Sequence, residues 1–361
     1  MYHTAGSIVR VRSLKNMRIN MEISSRVPLF AGLDADDLQY VLRAARRLEF
    51  ASGVMMVRQG QPADSALFME RGWAQVISVL PGGGETVVAE LGPGSVLGEM
   101  ALLDSGVRCA NVVAREPTAC LSMERDAFRM LIAQRNPAVL AINHRITLAL
   151  CQRLRDLNGK ILTHSTPEHL APATVNQFHE RQSCTFAFRG FLALLPAFRH
   201  FSSEDFEELM QDAQVFDLPR GARLFNAGAR SEACYVVVRG ALEISREQNG
   251  EHRRIGILGP GRLCGILALI EGQAHSMSAT AREQVTLMEI SLAAFTRYYD
   301  GEARGALKFQ QAINQELLQS LSRTNNHLTR LISQARIRNH GQQADELHRA
   351  LVEQECRAGA H

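Results

Sequence analysis

Between Leu48 and Met123 the apolar residues come in short runs separated by turn formers: Val54 to Val57, Ala66 to Met69, Gln75 to Val79 and Thr86 to Leu91, with glycine at 60, 72 and 84. Short β-rich runs at regular spacing with glycine between them predict a β-barrel or jelly roll. Trp73, the only tryptophan, follows Gly72 on this stretch and reads as a packing residue. After Met123 the period changes to that of a helix. Asp126 to Ala133 form one predicted helix, and Pro137 starts a second in which Ile142, Ile146, Leu150, Leu154 and Leu157 fall on one stripe. Ahead of the strands, Val27-Pro28-Leu29-Phe30-Ala31-Gly32-Leu33 leads into a helix capped by Asp34, with Leu38, Val41, Leu42 and Ala45 at helical spacing.

The pattern then repeats. Pro28, Phe30, Gly60 and Gly72 recur 168 positions on as Pro196, Phe198, Gly228 and Gly240, and Leu91-Gly92-Pro93-Gly94 with Gly98 recur 167 positions on as Leu258-Gly259-Pro260-Gly261 with Gly265. The one-residue slip falls between Gly240 and Leu258, where a strand–turn–strand absorbs a deletion. A register kept over so many turn positions indicates a duplicated domain. The expected organisation is a flexible basic arm at 1–22, a first domain at 23–160, a linker at 161–188 rich in turn formers, a second domain at 189–300 and a helical tail at 301–361. The fold class is mainly β with flanking helices, two tandem barrels or jelly rolls. Leu307, Ile313, Leu317, Leu321, Leu328, Leu331 and Ile332 put an apolar stripe on the tail. It serves either to pack on the second barrel or as the seam of a homodimer.

Composition narrows the class without pointing to chemistry. The chain has 361 residues, long enough for two cores, and a net charge of +3 that argues for no nucleic-acid partner. Its seven cysteines are scattered and never spaced Cys-x-x-Cys, so neither a disulfide framework nor a zinc site is indicated, and reduced thiols suit the cytoplasm. No signal-peptide core and no run long enough for a membrane span is present. Hydrolase, phosphate-loop and zinc-protease signatures are missing, so the expectation is a protein that is not an enzyme and uses no metal.

The chemistry gathers at Leu97-Gly98-Glu99-Met100-Ala101-Leu102 and at Val107-Arg108-Cys109-Ala110. Glycine allows a tight turn close to a ligand, and Arg108 offers a planar fork for phosphate oxygens. Amides of a short helix opened by Met100 and Ala101 would face an anion. Glu99 supplies an acceptor for a hydroxyl. Together they suit a small cyclic phosphate.

This cassette resembles that of the cyclic-nucleotide-binding domain, the family of the catabolite activator protein and of the regulatory subunits of cyclic-AMP-dependent kinase. The resemblance implies that Gly98, Glu99, Met100, Ala101, Arg108, Cys109 and Ala110 line a nucleotide pocket, with Glu99 on the ribose and Arg108 on the phosphate. It implies a lid in the helix that starts at Pro137. Cys109 departs from the alanine, serine or threonine of relatives, and its weak donor tips the choice toward cyclic AMP over cyclic GMP. In the second copy Ile266 and His275 replace Glu99 and Arg108, so that copy is expected to be degenerate. Transcription factors of this family append a helix-turn-helix where this chain has its second barrel, so sequence-specific DNA binding is not expected. The resulting expectation is a cytoplasmic cyclic nucleotide sensor acting on an unidentified protein partner, with no membrane contact. The alternative is a constitutive scaffold with both barrels empty.

Overall fold

A computed structural model describes residues 10–13, 26–79, 85–103, 106–164, 181–184, 188–248, 251–301, 305–337 and 348. They divide into two compact units, one running to Arg153 and resuming at Leu328, the other running from Leu154 to His327.

Unit 1 begins its core with a 3-10 turn at Pro28–Phe30 and helix α1 (Ala35–Leu42). The Asp34 carboxylate accepts from the Asp37 amide at 2.8 Å, closing a helix start that leaves donors unpaired. The strands are β1 (Arg10–Ser13), β2 (Arg46–Phe50), β3 (Met55–Val57), β4 (Pro62–Ala63), β5 (Ser65–Arg71), β6 (Ala74–Val79), β7 (Glu85–Leu91), β8 (Val96–Leu97), β9 (Gly106–Val107), β10 (Asn111–Ala114) and β11 (Thr118–Glu124). They form an antiparallel sheet β1-β2-β11-β5-β8, a second sheet β3-β10-β6-β7 and a small ribbon β4-β9. Helices α2 (Arg125–Ala133) and α3 (Pro137–His164) follow.

The two-residue period of a strand decides which core each side chain enters. On β5, Ala66 and Phe68 join a cluster with Phe30, Leu38, Phe128, Ile142 and Ile146 under the helices. Leu67 and Met69 point the other way, into the space between the sheets with Phe50, Val76, Leu91 and Val112. A strand covered on both faces reads as a continuous apolar run, as Ala66 to Met69 does.

Unit 2 repeats this plan with β12 (Gln182–Ser183), β13 (Ala213–Leu218), β14 (Arg223–Phe225), β15 (Ala233–Arg239), β16 (Leu242–Gln248), β17 (Glu251–Leu258), β18 (Leu263–Cys264), β19 (Ser278–Ala281) and β20 (Val285–Ser291), in sheets β12-β13-β20-β15-β18 and β14-β19-β16-β17. Helices α4 (Ser203–Asp212), α5 (Ile266–Glu271) and α6 (Leu292–Tyr299) belong to it, and α7 (Ala306–Ile337) starts in it and ends in the stretch from Leu328 that belongs to unit 1. Individual backbone bonds recur. Gly94 N donates to Met69 O at 2.9 Å and Gly261 N to Val237 O at 2.8 Å; Gly60 N donates to Arg108 O and Gly228 N to His275 O, each at 2.7 Å. Both units are double-sheet jelly rolls with helices against one sheet.

The sequence expectation is modified in three places. Within the arm expected to be flexible, Arg10–Ser13 form β1 and pair antiparallel with β2, giving the open edge of the sheet its hydrogen-bond partners; Lys15 and Arg18 lie outside the described residues. Helix α3 runs through Asn158-Gly159 to His164, into the start of the expected linker. Burial of Ile161 and Leu162 outweighs the roughly 1 kcal/mol that a helical glycine costs. Third, the duplication extends into the tail: Ile142, Ile146, Leu150, Leu154 and Ile161 of α3 correspond, 167 positions on, to Phe309, Ile313, Leu317, Leu321 and Leu328 of α7, and all ten are buried. The tail stripe is thus covered within its own chain.

Candidate functional site

The cassette lies where β8 ends. Gly98 takes a left-handed conformation, φ 72° and ψ 34°, which turns the chain from the strand into a 3-10 helix at Glu99–Leu102. Side chains other than glycine rarely adopt that conformation. The expected short helix at Met100 is therefore a single 3-10 turn that starts at Glu99, with Ala101 N donating to Gly98 O at 3.0 Å and Leu103 N to Met100 O at 3.1 Å. Arg125 Nε holds the Ala101 carbonyl at 2.7 Å, which fixes the turn against α2.

Arg108 sits in the loop between β9 and β10. Its backbone is held from both sides, by Gly60 N on its carbonyl at 2.7 Å and by its own N–H on Gln61 O at 2.8 Å. Its Nη2 donates to Ser65 O at 2.7 Å and to Ser65 Oγ at 3.2 Å. Nη1 is buried, has no hydrogen-bond partner, and reaches toward Gly98, where an added Cβ would overlap it. Cys109 beside it is exposed and Ala110 is buried in the core between the sheets.

Glu99 is only 1% exposed, and its Oε1 is buried without a hydrogen-bond partner. Burial raises its pKa above the ordinary carboxylate range, opposed by the positive charge of Arg153, by its own backbone N–H and by Arg108. Burial likewise lowers the pKa of Arg108, opposed by Asp64, Cys109 and Glu99 and reinforced by Arg125. A buried donor and a buried acceptor left unmet cost free energy that a ligand's oxygens and hydroxyl recover, about 1–3 kcal/mol for each such group. The residues present therefore fit a ligand that combines an anion with a hydroxyl.

All the residues expected to line the pocket thus belong to one turn, Gly98 to Ala101, and one loop, Arg108 to Ala110. Two more were not singled out from the sequence. Arg153 of α3 supplies the largest opposing charge on Glu99 and is itself buried. Its signal was a charged residue at a position of the apolar stripe, three after Leu150 and four before Leu157. Ser65, which orients Arg108, starts β5, the strand paired with β8, and gave no local signal.

The corresponding place in unit 2 is built differently. Gly265 keeps the left-handed turn at φ 87°, but Ile266 is buried in the position of Glu99. His275 stacks on Phe225 with ring centroids 3.8 Å apart and planes 9° from parallel, and Phe225 stacks on Tyr235 at 6.1 Å. Burial, with the nearby charge of Arg155, depresses His275 from 6.5 to about 4, so the ring is neutral near pH 7. Arg155 itself is fastened to Glu271 at the end of α5, with Nε donating to Oε2 at 2.8 Å. Position by position, Ser65 becomes Ala233 and Arg153 becomes Ser320.

Trp73, expected as a packing residue, is 47% exposed, and its ring lies over Gly92, where any Cβ would meet it within 3 Å. Among the described residues no helix is long and apolar enough to cross a membrane, and no group of three or more histidine, cysteine or acidic residues is placed to hold a metal ion.

The cyclic AMP receptor protein of Thermus thermophilus is 34% identical over 129 residues, 36% of this chain and 58% of that protein. A cAMP-dependent protein kinase regulatory subunit of Yarrowia lipolytica is 24% identical over 269 residues, 74% of this chain and 58% of that one. The chain thus spans less than two thirds of the length of these relatives. A solved regulatory domain of Toxoplasma gondii PKA with cAMP covers 81% of this chain and 92% of its own at 16% identity, with a TM-score of 0.31. The model of the cyclic nucleotide-binding domain matches residues 47–135 and 215–302, one stretch in each jelly roll, and the chain belongs to that family with two tandem copies.

Proposed function

We propose that this protein is a non-enzymatic sensor of cyclic AMP, binding one nucleotide in unit 1 and changing its contacts with a protein partner in response. One observation carries the reading: Glu99 Oε1 and Arg108 Nη1 are both buried and both lack a hydrogen-bond partner. The exocyclic phosphate oxygens answer the guanidinium, and a ribose hydroxyl answers the carboxylate. Relatives named as a cyclic AMP receptor and as a kinase regulatory subunit support both the ligand and the regulatory role. Cyclic AMP is favoured over cyclic GMP because Cys109 offers only a weak donor for a guanine edge.

Unit 2 acts as a responding domain that takes no nucleotide, because Phe225, Tyr235 and neutral His275 stack where a phosphate site needs charge. Helix α3 is the moving part. It carries Arg153, whose charge acts on Glu99, so a ligand that draws on Glu99 changes the setting of Arg153. The protein works in the cytoplasm, away from membranes and without sequence-specific DNA contacts. A homodimer through the C-terminal helices is not required, since the stripe on α7 is covered within the chain. Titration calorimetry of the full chain with cyclic AMP and cyclic GMP tests the proposal, with one site and tighter binding of cyclic AMP expected. Absence of heat with either nucleotide would leave the scaffold alternative standing.

A further inference from the structure

Helices α3 and α7 correspond in the duplication, yet they carry different residues where unit 2 ties its helix down. On α7 the buried Glu316 carboxylate is ion-paired with Arg262, which stands in the turn between β17 and β18. The Leu263 amide donates to it at 3.4 Å and the Ser320 hydroxyl at 3.1 Å, and Arg323 of the same helix lies 3.9 Å away. Arg262 also donates to Gln319 of α7. The turn is pinned to β15, with Gly261 N donating to Val237 O at 2.8 Å and Val237 N to Arg262 O at 2.9 Å. A second buried carboxylate, Asp205 on α4, is ion-paired with Lys308 near the start of α7 and accepts the Ser202 amide at 2.8 Å. Both pairs lie inside unit 2. Unit 1 keeps the acid of the first helix as Asp37, but Arg262, Lys308 and Glu316 correspond there to Ser95, Ala141 and Ala149, none of which can form an ion pair. A buried ion pair adds little to stability against a well-packed apolar pair, but parting it strands a charge away from water, so it opposes any shift of the helix that separates the partners.

We infer that unit 2 holds α7 in one position by a two-point ionic latch, Arg262 with Glu316 and Lys308 with Asp205, and that α3, built without these pairs, is the one of the two helices that moves when unit 1 takes its ligand. Lys308 and Glu316 are eight residues apart, about 12 Å along the helix, so a slide or a tilt of α7 must part at least one pair. The asymmetry runs the same way as that of the cassettes: the copy with Ile266 and His275 in place of Glu99 and Arg108 is the copy whose helix is tied down. What unit 2 receives reaches it through α3, whose residues from Leu154 onward belong to it. The movement of α3 rests on the cyclic nucleotide reading of unit 1; the latch stands apart from that reading.

The test is hydrogen exchange on the full chain, read by mass spectrometry. It is run at about pH 8, because burial pushes the Glu316 carboxyl up to about 7 against Arg262, the Leu263 amide and Ser320, and both pairs are then charged. One variant, Arg262→Ser with Lys308→Ala and Glu316→Ala, gives unit 2 the residues of unit 1 at all three positions. Exchange at 306–321 is expected to be at least about tenfold faster in it than in the native chain, with β15 and β20 unchanged. Lys308→Ala alone leaves the Asp205 cap in place and is expected to speed exchange at 306–312 about threefold; it decides the matter if the triple variant does not fold. In the native chain saturating cyclic AMP is expected to change exchange at 137–153 and to leave 306–321 within about twofold. Native rates on α7 in the variants, or equal acceleration in β15 and β20, overturn the latch. A change at 306–321 on adding cyclic AMP as large as that at 137–153 overturns the fixed helix. Absence of any change with cyclic AMP overturns the nucleotide reading and with it the movement of α3, while the variants still decide the latch.

Discussion

Gly98 and Arg108 occupy each other's space: the guanidinium Nη1 of Arg108 lies where a Cβ on residue 98 would have to be, and the glycine backbone there is left-handed at φ 72°. The turn and the phosphate fork are therefore one structure. Gly98→Ala is expected to cost about 1 kcal/mol in stability from the backbone alone. It should also lower cyclic AMP affinity by more than tenfold, because Arg108 must move. Chemical denaturation and calorimetry on the same variant separate the two effects, and full affinity in Gly98→Ala would sink the link.

Arg108→Ala removes the fork and leaves a bound phosphate partly unpaired, for an expected loss of at least about 2 kcal/mol, more than tenfold in affinity. Glu99→Ala is expected to cost somewhat less. Arg108→Lys keeps the charge but not the bidentate geometry and should recover only part of the loss. Unchanged affinity in Arg108→Ala would falsify the pocket.

Arg153→Ala takes away the main charge that opposes the burial of Glu99. Glu99 is then expected to hold its proton to higher pH, so the fall of cyclic AMP affinity on acidification should set in at a higher pH than in the native chain. Coincident pH profiles for the two proteins would show that Arg153 is only structural.

Hydrogen exchange on adding cyclic AMP is expected to slow at 95–112 and to change at 137–165, with one ligand per chain. A ligand moves an equilibrium only through its differential affinity for two states, so the change in the helix reports the state that the ligand selects. Protection at 262–276 as strong as at 95–112, or two ligands per chain, would show that the Ile266 and His275 site is live.

His275 makes unit 2 sensitive to acid. Its folded pKa lies near 4 against an ordinary 6.5, so between these values the unfolded chain binds the extra proton and the folded one does not. Stability from this group is complete above about pH 6.5 and falls as pH drops toward 4. His275→Phe keeps a ring against Phe225 and removes the titration. The difference in unfolding free energy between the two proteins should therefore change with pH in that window and be flat above it; a difference that stays constant from pH 7.5 to 4 would contradict the assignment.

The sequence by itself determined the duplicated β-rich architecture, the helix starts at Asp34 and Pro137, and the cassette from Gly98 to Ala110, because all of these rest on local properties. Turn glycines, alternation in strands and the 3.6-residue stripe are written within a few neighbouring positions. Only the tertiary structure decided the rest. Ser65 and Arg153 lie 43 and 45 residues of chain from Arg108 and join the cassette through sheet order and the path of α3; a charge on the apolar stripe sets Arg153 apart, but no local pattern says that it acts on Glu99. The run of α3 past Gly159 and the covering of the α7 stripe follow from burial, which overrides local propensity when apolar side chains find a neighbour. Phe225 lies on β14, which pairs with β19, and its ring rests on His275, a contact that no stretch of local sequence contains. Which residues a chain carries is local information; which polar atoms end buried without a partner depends on everything folded around them, and in this protein that is what marks the first pocket.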